Sequence, residues 1–293
     1  MNRWLVGIAI GLLATWAWAL EVVATTESMA VLARTVGGDA VRVTVLAPAD
    51  RDPHTLQVKP SMIRALRDAD LLVAVGAELE VGWLPAALKG AANPKIVPGQ
   101  LGYFEAAAQV NLLEVKPAAD RALGDVHPMG NPHLHLDPVR MGEVAQALAV
   151  RLARLDPANG NAFSARAAAL VQAIAEHLPA WQSRCAGSGG AVLYHKTGLY
   201  LLERFGVPLL GTLEPVPGVP PTGNHLETLA TQLKERKGVV LYHPYEPREA
   251  AAWLAERLGW QAIAVPLEPP SGSDADGYFA VIDQWCSALA QAR

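Results

Sequence analysis

The chain has 293 residues, 51% of them hydrophobic and 18% charged, enough for one large α/β domain or two smaller ones and too apolar for a disordered segment. Its formal net charge of −4, with no basic cluster, excludes the electrostatic footprint of a nucleic-acid binder.

The first stretch, "MNRWLVGIAIGLLATWAWAL", carries Arg3, an apolar run from Trp4 to Leu13, and the small-x-small ending Ala17-Trp18-Ala19. This predicts a cleavable secretory signal peptide over residues 1–19, cut after about Ala19, and hence a periplasmic protein. A membrane anchor would need about 20 clean apolar residues, and no cysteine follows the run to carry a lipid.

From residue 20 short valine-rich runs alternate with helical patterns, the signature of a mainly parallel sheet flanked by helices. The strands expected first are "EVVAT", "VRVTVLA", "LLVAV" and "KIV". Helices open at Pro60 in "PSMIRALRDAD" and close at Gly90 in "LEVGWLPAALKG".

Asp137 before Pro138 is an N-cap followed by a proline at the first helical position, which predicts a helix to about Leu155. A second helix, alanine-rich and about 25 residues long, spans roughly 38 Å from near Asp156 to about Gln182. Alternation then resumes with "AVLY", "VPLLGTL", "GVVLY" and "QAIAVPL", and with helices near 197–205, 223–236, 247–259 and 276–291.

The predicted organisation is therefore an α/β lobe over residues 20–155, a linking helix over 156–183 and a second α/β lobe over 184–293. No internal sequence repeat is visible. Cys185 and Cys286 fit either a single bridge, given the export context, or two separate buried thiols.

In open α/β sheets ligands gather beyond the carboxyl ends of the strands. His54 follows "VRVTVLA", His195 follows "AVLY", His243 follows "GVVLY" and Glu268 follows "QAIAVPL", while "GDVHPMGNPHLHLDP" packs His127, His133 and His135 just ahead of Asp137. These candidates face one cleft between the halves.

Three neutral imidazoles and a carboxylate suit a tetrahedral, zinc-type shell. If the segment is extended, His133 and His135 sit about 6 to 7 Å apart and cannot easily aim both rings at one ion. His243, Asp274 and Asp276 compete with Glu268 for the fourth ligand position.

The stretches "VATTESMAVLARTVGGDAVRVTVLAPADRDPHTLQVKPSMIRALRDADLLVAVGAELEVGWL", "NPHLHLDP", "LYHKTGLYLLERFGV" and "LEPVPGVPPTGNHLETL" resemble, in order and spacing, the periplasmic metal-binding components of ABC-type zinc and manganese importers, the TroA-like or ZnuA-like solute-binding proteins. The likeness covers nearly the whole mature chain. It implies two lobes joined by one long backbone helix, with metal ligands at His54, His133, His195 and, for the fourth, Glu268.

A histidine at the third position resembles the zinc-preferring members; manganese members tend to place a carboxylate there. Three features depart from the family pattern. His135 stands where a tryptophan is usual, the fourth carboxylate lies in "PLEPPSG", and no long histidine-rich acidic loop precedes His133, which leaves His127 and its neighbours in its place.

The resemblance implies a monomeric, non-catalytic carrier that captures Zn2+, with Mn2+ as the alternative, and hands it to an ABC transporter permease. A secreted zinc hydrolase, with Glu268 or Glu246 as base, and a surface adhesin are the rival readings. No HExxH or comparable motif supports the hydrolase.

Overall fold

The computed structural model describes residues 19–115 and 127–292. Nearly all of the expected leader therefore lies outside the described residues.

The first half runs β1 (Leu20–Ala24), α1 (Glu27–Gly37), β2 (Val41–Val45), α2 (Pro60–Asp68), β3 (Leu71–Ala74), α3 (Leu84–Ala91) and β4 (Tyr103–Glu105). Then come α4 (Pro138–Leu155) and α5 (Gly160–Cys185). The second half runs β5 (Ala191–Leu193), α6 (Leu199–Phe205), β6 (Leu209–Thr212), α7 (Gly223–Leu233), β7 (Val239–Tyr242), α8 (Arg248–Leu258), β8 (Ala262–Ala264) and α9 (Ala275–Leu289).

Each half holds a parallel four-stranded sheet, ordered β2-β1-β3-β4 and β6-β5-β7-β8. The two orders are the same topology, although the sequence shows no repeat. Central strands such as Leu71–Ala74 are buried along their whole length, as expected where helices cover both faces. In each sheet the strand order reverses beside the first strand, and the crevice beyond that point is where such sheets hold ligands.

The fourth strand differs from the sequence expectation. "KIV" forms part of a 3-10 turn over Pro94–Ile96, and the strand is Tyr103–Glu105. Pro94 has no N–H to give a ladder. Asn93 caps the turn through Lys95 N at 3.0 Å and anchors it to α2 through Leu66 O and Ala69 O, at 2.9 and 2.8 Å.

Chain direction then reverses at Gly102, where a Cβ would meet Asp70 O at 2.5 Å and Lys95 O at 2.6 Å. Only glycine fits that approach. Helix α1 was also absent from the sequence expectation; Thr26 caps it by accepting from Met29 N, and its buried face runs from Met29 to Val36.

Helix α4 starts as expected, with the Asp137 carboxylate accepting from Val139 N at 3.0 Å. Helix α5, 26 residues and about 39 Å long, buries Phe163, Ala167, Leu170, Ile174, Trp181 and Cys185. Their spacing of three, four or seven puts them on one stripe. It packs on α1 and α4 from the first half and on α6 and α9 from the second, so one hydrophobic core runs through both halves.

Candidate metal centre

The loop after β2 carries His54 and is pinned from behind, because Trp83 Nε1 donates to Pro53 O at 3.0 Å. Asp52 turns the loop back on itself. Its Oδ1 accepts from the His54 backbone N–H at 2.9 Å and from ring Nδ1 at 2.7 Å. A carboxylate oxygen only accepts here, so Nδ1 carries the proton and Nε2 presents a lone pair. Burial works against the Asp52 charge, yet the hydrogen bonds from His54 and the favourable electrostatics of that ring outweigh it and hold the carboxyl below its ordinary value.

His195 repeats the device from the other half. It leaves β5 in extended conformation, and its Nδ1 donates to Glu214 Oε2 at 2.8 Å. The same oxygen accepts from Gly218 N at 2.9 Å. Carboxylate-oriented imidazoles of this kind are the usual support of a metal-ligating histidine, because they set the tautomer and raise the basicity of the free nitrogen.

The third histidine sits on the segment that leads from β4 into α4. Asn131 Oδ1 accepts from His133 N at 2.9 Å, and the turn that follows, Leu134–Leu136, is 3-10 rather than extended. Residues of the second half brace this segment. Tyr200 O–H donates to Asn131 O at 2.6 Å, Asn131 Nδ2 donates to Lys196 O at 3.0 Å, and Arg204 binds the buried Asp137 carboxylate at 2.9 and 2.8 Å.

These elements bring His54, His133 and His195 together, with ring centres 5.1, 5.5 and 5.6 Å apart. His127 joins them, its ring centre 5.3 Å from that of His54. The ligand atoms of His54, His127 and His195 all lie within 4.8 Å of one another.

His133 is 1% exposed, and neither of its ring nitrogens has a hydrogen-bond partner. Leaving two buried polar atoms unpaired costs free energy that a metal bond would offset. Burial, and then the rings of His54, His195, His135 and His127, hold His133 well below the ordinary histidine range. It is therefore neutral at pH 7, the form that ligates.

Glu268, expected as the fourth ligand, stands outside this group. Its Oε2 accepts from both Ser28 N and Ser28 Oγ, each at 2.6 Å, at the start of α1. Its Oε1 lies 3.7 Å from His135 Nε2. His135, whose ring centre is 6.3 Å from that of His133, donates instead to Leu267 O at 3.2 Å.

The rival ligands are engaged elsewhere. His243 Nδ1 donates to Val265 O at 2.9 Å, and Nε2 accepts from Thr197 Oγ1 at 2.8 Å, which uses both ring nitrogens. Asp274 caps α9, accepting from Gly277 N, and Asp276 is exposed on its first turn.

Burial lowers His243 to about 4, against the opposing effect of its bond to Val265 O. Its ring is expected to titrate near pH 4 in an NMR pH series; a midpoint near 6.5 would mean the ring is solvated. The unfolded chain takes up this proton near pH 6.5 and the folded chain does not. This group's contribution to stability therefore falls as pH drops from about 6.5 to about 4.

Beside the histidines lies a cavity of about 300 Å³, lined by Asp52, His54, Tyr194, His195, Glu214 and Glu246 among others. Burial, with help from Glu214 and Asp52, pushes Glu246 up to about 8 even though it accepts from His243 N. That carboxyl is mostly protonated at pH 7.

Known proteins resemble this chain along most of its length. A family model described as zinc-uptake complex component A, periplasmic, matches residues 22–292. The high-affinity zinc uptake system protein ZnuA of Yersinia pestis is 26% identical over 282 residues, spanning 90% of this chain and 88% of its own. The manganese ABC transporter substrate-binding lipoprotein PsaA of Streptococcus pneumoniae is 23% identical over 231 residues, spanning 74% and 69%. A crystal structure of ZnuA shares the fold, with a TM-score of 0.78 over 94% of this chain and 99% of that one at 22% identity.

Proposed function

Because the chain belongs to the family of periplasmic zinc-uptake complex component A, matched over residues 22–292, we propose that it captures Zn2+ between its halves and delivers it to the permease of an ABC importer. The observation that carries this reading is the convergence of His54, His133 and His195 from three separate segments, with the buried ring nitrogens of His133 left unpaired. Residues 20–155 and 184–293 are the two lobes and 156–183 the connection.

The donor set favours zinc over manganese. Imidazole nitrogen suits the borderline-soft ion, whereas manganese prefers carboxylate and water oxygen. Asp52 and Glu214 act behind the rings, not on the ion. The grouping of His127 with His54 and His195 supports it as the fourth ligand, while the bonds from Ser28 to Glu268 weigh against the carboxylate.

A hydrolase would need an open water position and a ready base. Glu246, at about 8, is protonated where such a base must be ionised. A stiff joint supports a carrier that opens modestly, since α5 is embedded in a core continuous with both halves.

The test is competitive titration of Zn2+ against Mn2+ with a chromogenic chelator, on the wild type, His127→Ala and Glu268→Ala. Tight one-to-one zinc binding, preferred over manganese, is expected, with the larger loss in His127→Ala. A larger loss in Glu268→Ala would make the carboxylate the fourth ligand. A preference for manganese would overturn the choice of metal.

A further inference from the structure

We infer that Cys185 and Cys286 are joined by a disulfide in the exported protein. They are the two cysteines of the chain, and they are thiols in this structure. Cys185 ends α5 and Cys286 lies in α9, so 101 positions of sequence separate them. Their Sγ atoms nevertheless lie 2.9 Å apart, at residues 1% and 0% exposed.

The approach follows from the register of the two helices. Asp283, three residues before Cys286, accepts from Trp181 Nε1 at 3.1 Å and from Arg184 at 2.6 Å, which locks that turn of α9 onto the last turn of α5. Since a disulfide needs about 2.05 Å, closing the pair requires a shift of about 0.9 Å from the observed 2.9 Å. An oxidising compartment supplies the driving force, and the periplasm of this family is one.

The oxidant is a disulfide, R–S–S–R, of a small molecule or a protein. One cysteine thiolate attacks it, forming a mixed disulfide and expelling RS−; the other thiolate then displaces the second RS− and closes the bridge. Two electrons pass from the cysteine pair to R–S–S–R, and the two cysteine protons end on two RSH. Once folded, the pair is out of reach of such an oxidant, so exchange precedes the closing of α9 over α5. Contact with Cys185, and then burial, push the Cys286 thiol up, which leaves a folded dithiol unreactive.

The bridge ties the connecting helix to the last helix and encloses all of the second sheet. It therefore constrains the unfolded second half, and the stabilisation expected from a loop of this length is large. The inference needs only export and does not rest on the metal reading.

The test is mass spectrometry of exported protein, denatured in excess alkylating agent with and without prior reduction. No alkyl adduct without reduction and two after it are expected. Two adducts without reduction would overturn the inference, and so would a single adduct accompanied by disulfide-linked dimers. Reducing the bridge should also lower the melting midpoint by on the order of 10 °C; an unchanged midpoint would remove the stabilising role.

Discussion

Replacing His195 with alanine is expected to weaken Zn2+ binding by on the order of 100- to 1000-fold, because loss of a ligand exceeds the 10- to 100-fold typical of groups one shell out. The substitution also strips Glu214 of its ring partner and leaves the second half with no nitrogen in the cluster. His135→Ala, by contrast, is expected to cost less than about 10-fold, within what a supporting group contributes. That ring lies 6.3 Å from His133 and its Nε2 is engaged with Leu267 O. The chelator competition measures both, and equal losses would mean that the histidine segment presents His135 to the ion rather than His133.

Replacing Glu214 with glutamine should cost about 10- to 100-fold in zinc affinity while leaving every ligand in place. Glu214 Oε2 fixes the proton on His195 Nδ1. A glutamine amide can donate to Nδ1 instead, which moves the ring proton to Nε2 and blocks the atom that faces the ion. Asp52→Asn tests the same device at His54. A melting curve of the metal-free variants controls for misfolding; unchanged affinity in a folded Glu214→Gln would show that the carboxylate does not set the tautomer.

The parts that were legible in the sequence are those with local causes. Asp137 and Pro138 marked the start of α4 because a cap and a prolyl φ act within one turn. His54 and His195 stand out as candidates because a strand followed by an imidazole is a short pattern. "KIV" has the apolar run of a strand, but the bonds from Asn93 to Leu66 O and Ala69 O, 27 and 24 positions away, hold it as a turn. His127 had a signal, its place in the histidine-rich segment, but nothing local told whether it would face His54.

Sequence alone determined the α/β class, the alternation of strands and helices on either side of a long helix, and the candidacy of the strand-end histidines His54 and His195. Helical and strand periodicity, caps and strand ends are short-range properties, and they survive without knowledge of the partner. Tertiary structure alone decided which nitrogens remain free and which carboxylates support them. Glu268 is captured by Ser28, 240 positions away, and His243 is spent on Thr197 and Val265, 46 and 22 positions away. The matching strand orders of the two halves are likewise a tertiary fact, since strand order is set by long-range pairing and does not require that the sequences repeat.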